Sequence, residues 1–369
     1  MIIAVPRRVV AIVPQALQVR RQGSRARGTD QQVTPVLEEE RLQTRIVAAL
    51  RVGRQPLVRR QVRDAIGRAP QVEPILDAEA INADVIIMVA GATPPHDANE
   101  GTTRDAVART NRPVFEDYAR AIARYGRGHE VVIIQSNPVE LAVDMFARHL
   151  ERHRVMGAGS YNDTLRFRRE IASGIPDGNH TAVTGYVLGE HGPNLVPIWS
   201  SLGAPGVPAE VWQDYLYAAR GRRKLEDLPG EVAAARDTLQ SLIAGGEGET
   251  AFAFVALLPP DVRAVVKPWF AHWSGGTSTV TAHSAVDIVR SMRDGHRVML
   301  PLQVAVTEDD WPGVESVLGL PVDVDIRGWH RTMAIHLAID ERTALVAAAA
   351  AINERLTAWQ NPNSYGATA

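Results

Sequence analysis

The chain has no cysteine, which removes disulfides, a thiolate nucleophile and any cysteine-ligated metal from consideration. Lysine is scarce: Lys224 and Lys267 are the only two among 40 basic residues. Arginine supplies the remainder, a skew that goes with a GC-rich gene and carries no functional message of its own. No apolar run approaches the roughly 20 residues of a membrane-spanning helix. Residues 1–5 are too short an apolar run for a secretory signal, and Arg7 and Arg8 follow at once. A cytoplasmic protein with no membrane partner is the expectation. An excess of one charge is also lacking: the formal net charge of −2 argues against a dedicated nucleic-acid binder.

One further absence is local. Residues 8–13 read as a first β-strand, apolar and β-branched. A dinucleotide-binding turn would continue with Gly-x-Gly-x-x-Gly, whose backbone N–H groups cradle a pyrophosphate. Here Pro14-Gln15-Ala16-Leu17-Gln18-Val19 follow, no glycine stands before Gly23, and Pro14 has no N–H to offer. Residues 14–75 are irregular throughout, rich in arginine and glutamine. Leu37, Leu42, Ile46, Ala49 and Leu50 suggest one helix over 37–50. A shifted reading frame in a GC-rich gene is one origin for such a stretch, and the coding DNA would show it.

What is present begins at residue 83. A chain of 369 residues can bury a large core and most naturally forms two domains. Residues 84–89 form a buried strand closed by Ala90-Gly91-Ala92, and 131–135 form the next. Between them Val107, Val114, Phe115, Tyr118, Ala121, Ile122 and Tyr125 mark one face of a helix. Strand, helix, strand at this spacing predicts a parallel sheet. Asn137 reads as an N-cap and Pro138 as the first residue of the following helix. Residues 155–158 are a last short strand. The second half holds a helix around Asp163, a strand over 181–188, helix through much of 212–242 and over 283–293, and a strand over 297–307. A final helix is capped by Asp340, with Leu345, Ile352, Leu356 and Trp359 on one side. The fold class is therefore α/β: a Rossmann-like parallel sheet domain over 1–158, then an α+β catalytic domain over 159–369.

The chemistry gathers around Gly189-Glu190-His191-Gly192, where an apolar run ends in a glycine-flanked turn. Histidine can give and take a proton near neutrality, and the flanking glycines permit an unusual backbone and a close approach. Asp163 and Arg166 stand three apart, on one face of a helix. Upstream lie Ser136-Asn137-Pro138 after a strand and Arg104 at a helix start. Singly, Asp163 with Arg166 would pass for a surface ion pair, Arg104 for a solvated helix residue and Asn137 for a plain cap. Together, a base, a carboxylate to orient it and two arginines suit a small anionic carbonyl compound. The other histidines show no metal-ligand spacing.

Those residues, in that order, resemble the lactate/malate dehydrogenase family. The matching pieces are residues 83–92, Thr103-Arg104-Asp105, Asn137-Pro138-Val139, Arg154-Val155-Met156-Gly157, Asp163 with Arg166, residues 189–192 and 316–322. The resemblance covers roughly 80–200 and 275–358, and residues 243–274 have no counterpart in it; they cover the site or enlarge a subunit contact. It implies hydride transfer between NAD, or NADP, and a 2-hydroxy/2-keto acid, in a homodimer or homotetramer. His191 would be the acid/base and Asp163 its orienting partner. Arg166 would grip the substrate carboxylate, and Arg104 would close over the substrate and polarise its carbonyl. Asn137 would serve substrate and cofactor, Thr277 would line the pocket, and Gly91 and Ala92 would floor the nicotinamide. Ala98, six positions before Arg104, stands where the family reads the substrate side chain, which implies a neutral one, with His96 close enough to take over that role. The missing glycine turn implies weak NAD(H) binding. The alternative is an impaired family member persisting as a pseudoenzyme or oligomeric binding protein.

Overall fold

The computed structural model describes residues 8–12, 45–49, 81–91, 104–175, 183–192, 194–273, 278–293 and 297–360. Short β-branched runs form its central strands: β3 (Val85–Met88) and β4 (Val131–Ile134) are buried at every position. Strands covered on both faces read as continuous apolar runs, and these do. β1 (Arg8–Ile12) lies between β2 (Arg45–Ala49) and β3, and β4 and β5 (Val155–Gly157) complete a parallel half-sheet. The connections are helices: α1 (Arg104–Tyr125) joins β3 to β4, and α2 (Val139–His149) joins β4 to β5. α1 buries Val107, Ala108, Phe115, Ala119 and Ile122; of the predicted stripe, Val107, Phe115 and Ile122 are buried, and Val114, Tyr118, Ala121 and Tyr125 are half-buried beside them.

The same sheet then continues antiparallel. β6 (Thr184–Gly189), β7 (Leu195–Gly203), β8 (Val298–Val306) and β9 (Ser316–Asp325) extend it in the order β5-β8-β9-β6-β7, and β10 (Gly328–Thr332) pairs with β9. The junction is narrow: Gly157 of β5 pairs with Gln303 of β8. Gln303 is fully buried, and its side chain accepts the Ser160 N–H at 3.0 Å and donates to Ser160 Oγ at 2.9 Å. It thereby meets an orphan donor at the start of α3 (Gly159–Ala172), whose N-cap residue, Ala158, has no side chain able to do so.

The remaining helices are α4 (Ala209–Arg220), α5 (Leu228–Ala244), α6 (Gly248–Leu257), α7 (Pro260–Trp273), α8 (Ser278–Arg293) and α9 (Ile339–Gln360). One apolar core runs through the sheet and its covering helices. A second joins α5, α6 and α7 through Val232, Leu239, Val255, Val262 and Val266, with Leu195 packed against it. α9 buries Leu345, Ile352, Leu356 and Trp359. Among the described residues no helix is long and apolar enough to cross a membrane.

Two expectations are corrected. The helix over 37–50 fails at its end, because Arg45–Ala49 is a strand paired with β1; its four-residue apolar stretch, 46–49, fits either period, and pairing with β1 decides. Asn137 is not the cap of α2: Pro138, extended at φ −69° and ψ 128°, occupies that place with no side-chain cap bond. Residues 14–44 and 50–75 lie outside the described residues, as do Ala92, His96, Ala98 and Thr277.

Candidate active site

Helix α3 is tied to β6 by Thr164, whose hydroxyl accepts the Val187 N–H at 2.9 Å. That link sets Asp163 opposite the turn closing β6. His191 Nδ1–H donates to Asp163 Oδ2 at 2.7 Å, and Arg166 Nη1 donates to Asp163 Oδ1 at 3.1 Å. Asp163 is buried, not a surface residue. Burial pushes its carboxyl up, but the charges of and hydrogen bonds from His191 and Arg166 outweigh this and hold it below the ordinary value. With Nδ1 committed, Nε2 is the ring nitrogen left for proton exchange. Arg166 spends one nitrogen on Asp163, and among the described residues its other donors meet no protein acceptor.

The histidine turn is braced from other elements. Gly189 has φ +83°, a left-handed conformation that glycine adopts without cost. Gly192, at φ +155°, lies so close to the Arg104 guanidinium that a Cβ there would run into Nη1. The close approach at Gly192 therefore serves Arg104. Arg104 Nη1 donates to the His191 carbonyl at 2.7 Å, and Nη2 lies 2.7 Å from Glu140 Oε2 and 3.3 Å from Glu190 Oε1. The expected role places Arg104 over the substrate; in this structure its terminal nitrogens hold the His191 turn and two carboxylates.

Glu140 and Glu190, which sequence reasoning missed, are both buried. Glu140 Oε1 accepts the His191 backbone N–H at 2.6 Å. Burial raises the Glu140 carboxyl, Arg104 opposes this, and Glu190 adds to the rise. Glu190 also accepts Asn194 Nδ2 at 2.8 Å. Neither acid carries a local sequence signal beyond adjacency to Asn137-Pro138 and to His191.

Gly91 and Asn137 stand at the C-terminal ends of β3 and β4, where open α/β sheets bind ligands. Asn111 joins them: its Nδ2 donates to the Asn137 carbonyl at 2.7 Å, and its side chain lies against Gly91. Asn137 itself is exposed, leaving its amide free for a ligand. These residues fit the nicotinamide end of a dinucleotide. In the insert without family counterpart, Asp261, Ala264 and Val265 of α7 line a cavity of about one water's size together with Asp163, Phe167 and Leu195. Among the described residues no His, Asp and Glu cluster could hold a metal ion.

The family model described as lactate/malate dehydrogenase, NAD binding domain, matches residues 70–157. Malate dehydrogenase of Symbiobacterium thermophilum is 34% identical over 130 residues, 35% of this chain and 39% of that protein. L-lactate dehydrogenase of Deinococcus radiodurans is 35% identical over 129 residues, 34% of this chain and 40% of that protein. These matches thus span about two fifths of the relatives' length. A lactate dehydrogenase from a Medee basin deep-sea metagenome library shares the fold at TM-score 0.67 and 16% identity, over 97% of this chain and 100% of that one. The motifs and the sequence likenesses agree: residues 70–157 belong to the lactate/malate dehydrogenase family, and the chain shares the fold of a solved lactate dehydrogenase.

Proposed function

We propose that the chain is a nicotinamide-dependent oxidoreductase acting on a small 2-hydroxy/2-keto acid, with its domain boundary near residue 158. The observation that carries this reading is the contrast within one hydrogen-bonded set. Asp163 is fully engaged, while His191 Nε2 and most of the Arg166 fork remain free beside it.

A bound nicotinamide supplies or accepts the hydride. His191 then gives its proton to the carbonyl oxygen during reduction and takes it back during oxidation. Asp163 fixes the Nδ1–H tautomer and stabilises the imidazolium. Arg166 pairs with the substrate carboxylate through its remaining donors. Asn137 donates where substrate and nicotinamide meet, above a floor that includes Gly91. Arg104 and Glu140 act indirectly, holding the carbonyl and N–H of His191 and so the direction of its ring. The neutral side chain of the substrate rests on the residue type at Ala98 alone. A homodimer or homotetramer follows from family resemblance, and sedimentation of the purified chain tests it.

The test is NADH oxidation by the full chain with a panel of 2-keto acids, beside calorimetry with NADH. Turnover that His191→Asn abolishes supports the reading; NADH binding without turnover of any 2-keto acid overturns it. The impaired-member reading has one observation in its favour: the family match begins at residue 70, beyond the place of the glycine turn. Losing two charge-assisted N–H contacts at about 1.5–3 kcal/mol each would weaken NADH by orders of magnitude. Micromolar affinity for NADH overturns that alternative.

A further inference from the structure

Arg104 and His191 come from elements far apart in the chain, and both are referenced to the last two turns of α9. Arg355 grips Glu190 with both terminal nitrogens, Nη1 to Oε1 at 2.6 Å and Nη2 to Oε2 at 2.7 Å. One turn on, the buried Trp359 donates its indole N–H to Asp105 Oδ1 at 2.7 Å. Positions four apart share a helix face, so one ridge of α9 reaches two shores of the site. Glu190 directly precedes His191, and Asp105 directly follows Arg104.

The arrangement controls Arg104 at both ends. Its backbone starts α1, whose first turn Trp359 holds through Asp105. Its guanidinium is shared between Glu140 and Glu190, and Glu190 is fixed in place by Arg355. Without Arg355, Glu190 would keep Arg104 as its one remaining cation. Arg104 would shift toward it, away from Glu140, carrying the His191 carbonyl that it binds. We propose that the C-terminal end of α9 is a strut that sets Arg104 against the His191 turn, with Arg355 and Trp359 as positioning residues. This rests on the dehydrogenase reading for its catalytic consequence, and on the structure alone for its mechanical one.

Two readouts keep those apart: hydrogen exchange of segments 104–110 and 189–195 in the full chain, and steady-state kinetics with NADH and a 2-keto acid. Trp359→Phe keeps one aromatic ring and loses the N–H donor together with the volume of the second ring. It should lower the unfolding midpoint modestly, speed exchange in those two segments beyond the rest of the chain, and lower kcat about three- to tenfold with KM within about twofold. Arg355→Met should lower kcat by roughly tenfold or more. Arg355→Lys, which restores a cation to Glu190, should recover part of both protection and kcat. Unchanged exchange in both segments overturns the strut. So does exchange that rises evenly over the chain while kcat per folded molecule holds. A wild type with no NADH-linked turnover sinks the dehydrogenase reading instead, and the exchange data still decide the strut.

Discussion

Asp163 and Glu170 lie seven residues apart on one face of α3, both buried and both held by cations, yet they build different things. Glu170 meets Arg263 Nε and, at 2.7 Å, Lys267 of α7. Arg263 is nearly saturated: with Nε on Glu170, Nη1 donates to the Ala256 and Leu258 carbonyls at 3.0 and 3.1 Å, and Nη2 to the Glu170 carbonyl at 3.3 Å. Little is left over. At Asp163, the histidine keeps an uncommitted ring nitrogen and Arg166 keeps most of its fork. A buried carboxylate with cations does not by itself mark function. Spare hydrogen-bonding capacity next to it does, because an external anion can use it.

Breaking each end of α3 should therefore give opposite phenotypes. The largest effect belongs to His191→Asn, which removes the proton carrier: kcat should fall about 10²–10⁴-fold with the unfolding midpoint close to wild type. An enzyme retaining most of its rate would end the assignment. Glu170→Ala should do the reverse. It strands the partly buried Arg263, while the half-exposed Lys267 can turn to water, so urea unfolding should show a loss of about 2 kcal/mol. Its kcat per folded molecule should hold; a collapse in kcat at unchanged stability would mean that α7 contributes to the chemistry. Arg166→Lys comes next. Its guanidinium would offer two parallel bonds to a carboxylate where an ammonium offers a point charge, so KM for the 2-keto acid should rise roughly tenfold. An unmoved KM would reassign the free fork.

Much of this was legible from residue order. The β-branched runs at Val85–Met88 and Val131–Ile134 and the apolar stripe of α9 announce themselves by period. Asp163 and Arg166 show one-turn spacing, and the glycines around His191 mark a turn. The bracing was not legible. Glu140 meets the His191 N–H across 51 positions, Arg355 meets Glu190 across 165, and Trp359 meets Asp105 across 254. Electrostatic pairing at such separations leaves no periodic trace, and Trp359 reads as one more core residue. Arg104 can be picked out by type, but the direction of its guanidinium leaves no trace in residue order, because its acceptors come from two other elements.

The smallest effect sharpens the comparison within the site itself, through pH. Asp163 is held below the ordinary carboxyl value, since His191 and Arg166 outweigh its burial. A depressed acid contributes stability that is fully present above its unfolded pKa and lost as pH falls through the lower folded value. Below roughly pH 4, the unfolded aspartate range, the stability gap between wild type and Asp163→Asn should therefore narrow. Glu140 has the opposite sign. Burial and Glu190 raise it against the pull of Arg104, so its ionisation costs stability as pH climbs from the ordinary glutamate value to the raised one. Glu140→Gln is spared that cost, though it loses the acceptor facing Arg104, and its stability relative to wild type should improve with rising pH across that window. Urea unfolding at a series of pH values checks both. Curves parallel to wild type for Asp163→Asn would mean that His191 and Arg166 do not hold the carboxylate in solution, and the orienting role would lose its physical basis.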